Sequence, residues 1–134
     1  MKPVPTGARA ECSEVVEHHH TLSHHHAPLP PVYSTPDMIR LMETACFHAL
    51  MPYHEEGEIN VGTAIHVEHR AATGVGSEIR AEAIMESFDG RFYTMRVRAW
   101  VIEAGSMKEI GGGTVSRAVV RVPTFLAKTS SGKP

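Results

Sequence analysis

Cysteine is scarce in this 134-residue chain. Its two thiols, Cys12 and Cys46, are too few for a disulfide scaffold and read as a reduced pair in the cytoplasm. An excess of one charge sign is missing too: 13 Lys and Arg against 15 Asp and Glu give a formal net charge of −2. That removes the bulk electrostatic case for binding nucleic acid or an anionic membrane surface. No apolar run approaches the roughly 18 residues of a membrane-spanning helix. The opening Met1-Lys2-Pro3-Val4-Pro5 lacks the apolar stretch of a signal peptide. Gly74-Val75-Gly76 and Gly111-Gly112-Gly113 come without the lysine and the strand–helix context of a phosphate loop, which removes a nucleotide-cleaving site of that kind. What remains is 42% hydrophobic and 21% charged, an ordinary globular balance. The length predicts one domain over 1–134, with an ordered core at about 8–126 and a polar tail at 127–134.

Periodicity predicts a strand, a loop, one long helix and then four strands. Ala8–Val16 alternates as a first strand. The His-rich run and Ala27-Pro28-Leu29-Pro30-Pro31 are expected to form a non-helical connection, because proline lacks the helical N–H donor. Ser34-Thr35-Pro36-Asp37 marks a helix start, with Thr35 as the capping hydroxyl and Pro36 at the first helical position. The helix is expected to run to about Met51 and stop at Pro52. Ile39, Met42, Cys46 and Leu50, widened by Met38, Leu41, Ala45 and Ala49, make an apolar stripe broad enough for a sheet to wrap. Beyond it, 59–70 alternates with Val61, Thr63, Ile65, Val67 and His69 on one side. Residues 77–87 and 92–102 follow the same period, joined at Asp89-Gly90 by an expected type I′ turn. A last strand spans about 108–122, with a bulge or close backbone approach at its glycines. One apolar helix against an antiparallel meander is an α+β arrangement, and the hot-dog fold is its leading candidate. Its exposed sheet edges predict a homodimer.

Three residues stand out against this frame. Glu43 falls on the helix's apolar stripe, where an ionised carboxylate costs several kcal/mol unless it is paired. The competing reading is a boundary glutamate reaching solvent. His69 shares the inward parity of its strand, as either a satisfied core histidine or a base. Thr35 sits at a helix N-terminus, where capping alone accounts for a hydroxyl but an oxyanion would also collect. An acid and a base meeting between helix and strand would supply a general acid–base pair. The six histidines at 18–20 and 24–26 invite a metal reading, yet no surrounding pattern completes a recognisable site, so no metal and no cofactor is expected. Cys46 reads as inert core. The arginines Arg70, Arg91, Arg96, Arg98, Arg117 and Arg121 read mostly as solvated strand faces, the alternative being that one or two of them meet phosphates of a bound cofactor-like substrate.

Several segments carry a family resemblance. Ser34-Thr35-Pro36-Asp37-Met38 with Leu41-Met42-Glu43-Thr44-Ala45-Cys46 looks like one family's helix entry, and Val61 to Thr73 looks like its next strand. Asp89-Gly90-Arg91, Ile110 to Thr114 and Arg117 extend the match. Together they resemble the hot-dog acyl-CoA thioesterases related to fluoroacetyl-CoA thioesterase, over about Glu14 to Phe125. The resemblance implies an acyl-CoA substrate, with Thr35, Glu43 and His69 at the family's catalytic threonine, glutamate and histidine. Gly62 falls on the glycine whose N–H lies near the thioester carbonyl. The chain departs from the pattern at His24-His25-His26, where relatives have glycines. It also departs at Val115, where they have histidine, and at Leu29 and Val32, where covering aromatics are not evident. Thioester hydrolysis is therefore implied, and fluoroacetyl specificity is not. The alternative is a non-catalytic hot-dog protein that binds acyl-CoA or a small ligand. A hot-dog hydratase lacks its acid–histidine arrangement here, and a metal-responsive protein would rest on the histidine run alone.

Overall fold

The structure is a computed structural model that describes residues 1–130. Its centre is the helix α2, Thr35–Leu50, continued by a 3-10 turn at Met51–Tyr53 around Pro52. Met38, Leu41, Met42, Ala45, Cys46, Ala49 and Leu50 are buried along one face, while Ile39 is only half-buried. The five strands β1 (Arg9–Val15), β2 (Glu58–His69), β3 (Glu78–Phe88), β4 (Phe92–Glu103) and β5 (Ser106–Arg121) form one antiparallel sheet in the order β1-β3-β4-β5-β2. The sheet lays Ile79, Ala81, Ala83, Met85, Met95, Val97, Ala99 and Val101 against the helix, as the alternation of β3 and β4 predicts. A helix packed on a five-stranded antiparallel sheet in this order is the hot-dog fold. β1 and β2 are its edges. Among the described residues no helix is long and apolar enough to cross a membrane.

Several expectations need correction. The histidine run is partly helical, with a 3-10 turn at His18–His20 and one α turn, α1, at Leu22–His25. The prolines begin only at Pro28 and bar helix beyond that point. In β2 the register shifts between Gly62 and Ala64, so Thr63 is an extra residue. It flips the parity of everything before it: Asn60 and Gly62 face the helix, while Val61 and Thr63 face outward with Ala118 and Ser116. At Asp89-Gly90 only Gly90 has positive φ, and the Asp89 carboxylate accepts the N–H groups of Arg91 and Phe92. Both central residues of the next turn, Ala104 and Gly105, have positive φ instead. Finally, Val122–Ser130 is a helix, α3, with Pro123 tolerated in its first turn. The expected tail thus begins inside a helix at 127–130, and its remainder lies outside the described residues. The expected close approach at the triple glycine is present, since a Cβ on Gly111 would lie 2.5 Å from the Glu68 carbonyl oxygen and 2.8 Å from Met38 Sδ.

Candidate active site

Two adjacent hydroxyls open α2, and they divide the work differently from the sequence expectation. Ser34 is the cap: its Oγ accepts the Asp37 N–H at 3.1 Å and also bonds the Asp37 carboxylate. Thr35 is left with its side chain free of capping, and its Oγ1 lies 2.8 Å from His69 Nδ1. His69 reaches this position because it ends β2 opposite Gly111, where the strand passes the start of the helix.

The Tyr33 ring stands edge-on to the His69 ring at 6.4 Å. His69 Nε2 is buried without a hydrogen-bond partner among the described residues. Burial holds the imidazole's pKa below its ordinary value, with the Ala71 backbone acting in the opposite direction. A neutral imidazole with an uncommitted nitrogen is the state a general base requires. Thr35 and His69 sit in a cleft of about 230 Å³, whose other walls are Leu22, Val32, Tyr33 and the stretch from Arg70 to Ala72. Tyr33 is thus an aromatic wall that the sequence reading passed over. Its hydroxyl donates to Glu14 Oε2 at 2.7 Å, and Glu14 also receives Arg40 at 2.5 Å. Burial raises the phenol's pKa well beyond its usual range.

Glu43 lies two turns further along α2. Its side chain is 36% exposed, so it stands at the boundary of the stripe rather than within it. The carboxylate rests against Gly62: a Cβ there would lie 3.2 Å from Oε1 and 3.3 Å from Oε2. On its other side Arg117 Nη1 is 3.6 Å from Oε2. Arg117 is 4% exposed and not a solvated strand arginine. Its Nε donates to Asn60 Oδ1 at 2.9 Å and its Nη2 to the Asn60 carbonyl at 3.0 Å, while the Asn60 amide bonds His54 Nε2 at 2.9 Å. Burial lowers the guanidinium's pKa, opposed by Cys46 and Glu43. The sequence reading passed over Asn60 and placed Arg117 among the solvated strand arginines, although it also counted Arg117 in the family match. The available signal was the parity Arg117 shares with Val115.

Within one chain the four residues therefore form two pairs, Thr35 with His69 and Glu43 with Gly62. Gly62 and His69 are seven residues apart on β2; less the bulge, that is about 20 Å at ~3.3 Å per residue. The ligand atoms of Glu17, His19 and His20 lie within 4.8 Å of one another. His20 is structurally accounted for, since its Nδ1 accepts the Glu17 N–H at 3.0 Å and its ring packs on Tyr33. Cys46 is fully buried and its thiol is pushed up to about 12, as expected of inert core.

Residues 16–123 match the fluoroacetyl-CoA-specific thioesterase family. The fluoroacetyl-CoA thioesterase of Streptantibioticus cattleyicolor is 40% identical over 121 residues, covering 90% of this chain and 84% of that protein. A solved structure of fluoroacetyl-CoA thioesterase superposes with a TM-score of 0.88 at 38% identity, covering 99% of this chain and all of the other. A Thermus thermophilus member of the thioesterase superfamily superposes at 0.87 with 28% identity, over 96% and 93% of the two chains. The geometry of α2 and β2, with its threonine, glutamate and histidine, thus sits in a chain that belongs to the fluoroacetyl-CoA-specific thioesterase family of hot-dog acyl-CoA thioesterases.

Proposed function

We propose that this protein hydrolyses a small acyl-CoA thioester to the free acid and CoA, using Thr35, Glu43 and His69. The observation that carries the reading is the 2.8 Å contact between Thr35 and His69 at the mouth of a cleft. Among the described residues, neither has a capping or ion-pairing duty that would explain it. Solved complexes of variants of the fluoroacetyl-CoA relative hold acetyl-CoA in one case and fluoroacetate with CoA in another. A substrate of the same class suits a cleft of about 230 Å³.

Hydrolysis consumes one water, forms a C–O bond and breaks the C–S bond. Glu43 acts as nucleophile or activates the attacking water. His69 accepts the water's proton and returns it to the departing sulfur. Thr35 fixes the imidazole through Nδ1. The Gly62 N–H donates to the oxyanion.

The two pairs come together in a homodimer. If the free β2 edges of two chains run antiparallel with their two-fold near Ile65 and His66, Gly62 of one protomer lies across from His69 of its partner. Each Glu43–Gly62 pair then faces a Thr35–His69 pair from the other protomer, giving two composite sites per dimer. The thiols Cys12 and Cys46, both held protonated by burial, suit a cytoplasmic enzyme.

The test is thiol release from a panel of short acyl-CoAs by wild type and Glu43→Gln together. Release by wild type with at least a hundredfold loss in the variant is expected. Equal rates would remove Glu43 from the chemistry, and binding without release would make the protein a ligand-binding module.

A further inference from the structure

The connection between β1 and α2 carries six histidines that the thioesterase reading leaves without a role. The structure sorts them by what their rings already do. His20 is committed, because its Nδ1 accepts the Glu17 N–H at 3.0 Å. An imidazole that accepts through Nδ1 carries its own proton on Nε2, so neither nitrogen is free for an ion. That leaves only Glu17 and His19 of the group formed by Glu17, His19 and His20. His26 ends α1, and among the described residues its ring meets no other side chain. The remaining three, His18, His24 and His25, gather on the surface. The single turn of α1 folds back on the 3-10 turn before it, so the His24 ring stands edge-on to His18 at 5.6 Å between centres and to His25 at 5.4 Å.

Those spacings match imidazoles that share one ion. With Zn–N bonds of about 2.1 Å in tetrahedral geometry, the centres of two ligating rings stand about 5 Å apart. Among the described residues neither the His18 nor the His24 ring makes a hydrogen bond or ion pair, so each can turn a free nitrogen toward the other. His25 is prepared further. Its Nε2 lies 3.2 Å from Asp37 Oδ2. A carboxylate only accepts, so Nε2 carries the proton and Nδ1 keeps its lone pair. A carboxylate behind an imidazole in this way fixes the tautomer and orients the ring of a metal-bound histidine. This support comes from the first turn of α2, outside the run, so the histidine pattern alone does not display it.

We infer that His18, His24 and His25, backed by Asp37, form a site for one divalent transition metal ion of the zinc class. Three neutral imidazoles suit zinc, copper or nickel, whereas magnesium and calcium take oxygen ligands. The inference goes beyond the hydrolytic reading and does not depend on it. None of the three rings lines the cleft, so the ion has no part in the chemistry there. Its effect is on the wall. Leu22, between His18 and His24 in the chain, lines the cleft and donates its N–H to the Val32 carbonyl at 3.0 Å. An ion gripped on both sides of Leu22, and anchored through Asp37, ties that wall to the helix that bears Thr35.

Zinc chloride titrated calorimetrically into the full chain, after stripping with a chelator, tests the site, with melts of the same samples with and without zinc. Wild type is expected to bind one ion per chain and to melt at a higher temperature with it. His18→Ala, His24→Ala and His25→Ala should each weaken binding at least about tenfold and remove most of the Tm rise, whereas His26→Ala should match wild type. Melts without metal confirm that each variant folds, and magnesium chloride should shift nothing. Equal, graded losses in all four alanine variants would make the run an adventitious metal binder and overturn the site. So would a loss confined to Glu17→Ala or His19→Ala, one ion shared between two chains, or an equal response to magnesium. Zinc binding that depends on His18, His24 and His25, in a protein that releases no thiol from acetyl-CoA, supports the site and defeats only the hydrolase reading.

Discussion

Arg117→Met isolates what the buried guanidinium does for Glu43. The substitution keeps an unbranched stem of similar length and removes the charge and the donor fork. The fork makes two hydrogen bonds to Asn60, at 2.9 Å and 3.0 Å. Charged hydrogen bonds contribute about 1.5–3 kcal/mol each, and their loss leaves two Asn60 oxygens without that donor. The desolvation cost of the buried arginine, which the variant no longer bears, offsets part of this. A net loss of about 3 kcal/mol, or about 10 °C in Tm, is expected. The charge acts on Glu43 across 3.6 Å. Coulomb's law gives that pair about 1 kcal/mol in water and about 5 kcal/mol at an effective dielectric of 20. Because the glutamate side chain is 36% exposed, screening places the value near the lower end, at about 1.5–2 kcal/mol. If that interaction holds the carboxylate against Gly62 for reaction, kcat falls about 10–30-fold.

Arg117 touches no substrate in this scheme, so KM for the acyl-CoA should stay within about threefold of wild type. Arg117→Lys keeps the charge and loses the fork, and it should recover most of the rate while recovering less of the Tm. In a Glu43→Gln background the Arg117→Met change should cost little further activity, since the two act as a unit. Full activity in a folded Arg117→Met protein would refute the argument. An additive loss in the double variant would refute it as well, by showing that Arg117 acts elsewhere.

Ser34→Ala should lower stability by about 1 kcal/mol through the lost cap while retaining turnover, whereas Thr35→Ala should do the reverse. Chemical denaturation and thiol release on the two variants read both effects, and a stability loss at Thr35 matching that at Ser34 would contradict the division of work between them. Gly62→Ala places a Cβ 3.2 Å from both Glu43 Oε1 and Arg117 Nη1, so the carboxylate must move. Activity should fall at least tenfold with Tm changed by only a few degrees, about 1 kcal/mol or less. His69 is neutral over a wider range than an ordinary imidazole because burial lowers its pKa from 6.5. The acid limb of kcat/KM should therefore lie below pH 6.5 and vanish in His69→Ala. The same shift is a stability contribution present above the unfolded imidazole's pKa and lost as pH falls through the lower folded one, which acid titration of Tm in the two proteins would detect.

How much of this was legible in the chain depended on contrast between neighbouring residues. In β3, Glu78, Arg80 and Glu82 separate the first apolar residues, and in β4 Arg96 and Arg98 do the same, so the buried set Ile79, Ala81, Ala83 and Met85 could be read directly. In β2, Asn60-Val61-Gly62-Thr63 offers no such contrast, and periodicity carried Val61 and Thr63 to the wrong face. At Ser34-Thr35 the two hydroxyls are equivalent as caps by propensity, and only the backbone path decides which one accepts the Asp37 N–H. Arg117 was misplaced because charge in a strand is usually solvated. Its burial depends on Asn60, a residue 57 positions away that no local pattern links to it.

These misreadings converge on one stretch of backbone. The extra residue at Thr63 sends Asn60 and Gly62 inward, one to hold Arg117 and the other to receive the Glu43 carboxylate. The same residue sends Val61 and Thr63 outward to line a groove on the far face. Beyond the bulge the original parity resumes, which brings Ile65, Val67 and finally His69 to the helix side, where His69 meets Thr35. A regular strand of the same length would have to sacrifice one of these contacts: with His69 inward, Gly62 would point out, and Glu43 would face the side chains of Val61 and Thr63. Inserting one alanine between Ser116 and Arg117 therefore tests the arrangement as a whole, because it gives Thr63 a partner and makes the pairing regular. β2 should remain paired with β5, while the Glu43–Gly62 and Thr35–His69 contacts can no longer both form. Turnover should be lost from a protein whose far-ultraviolet circular dichroism still reports the sheet, and a fully active insertion variant would show that the bulge has no part in the chemistry.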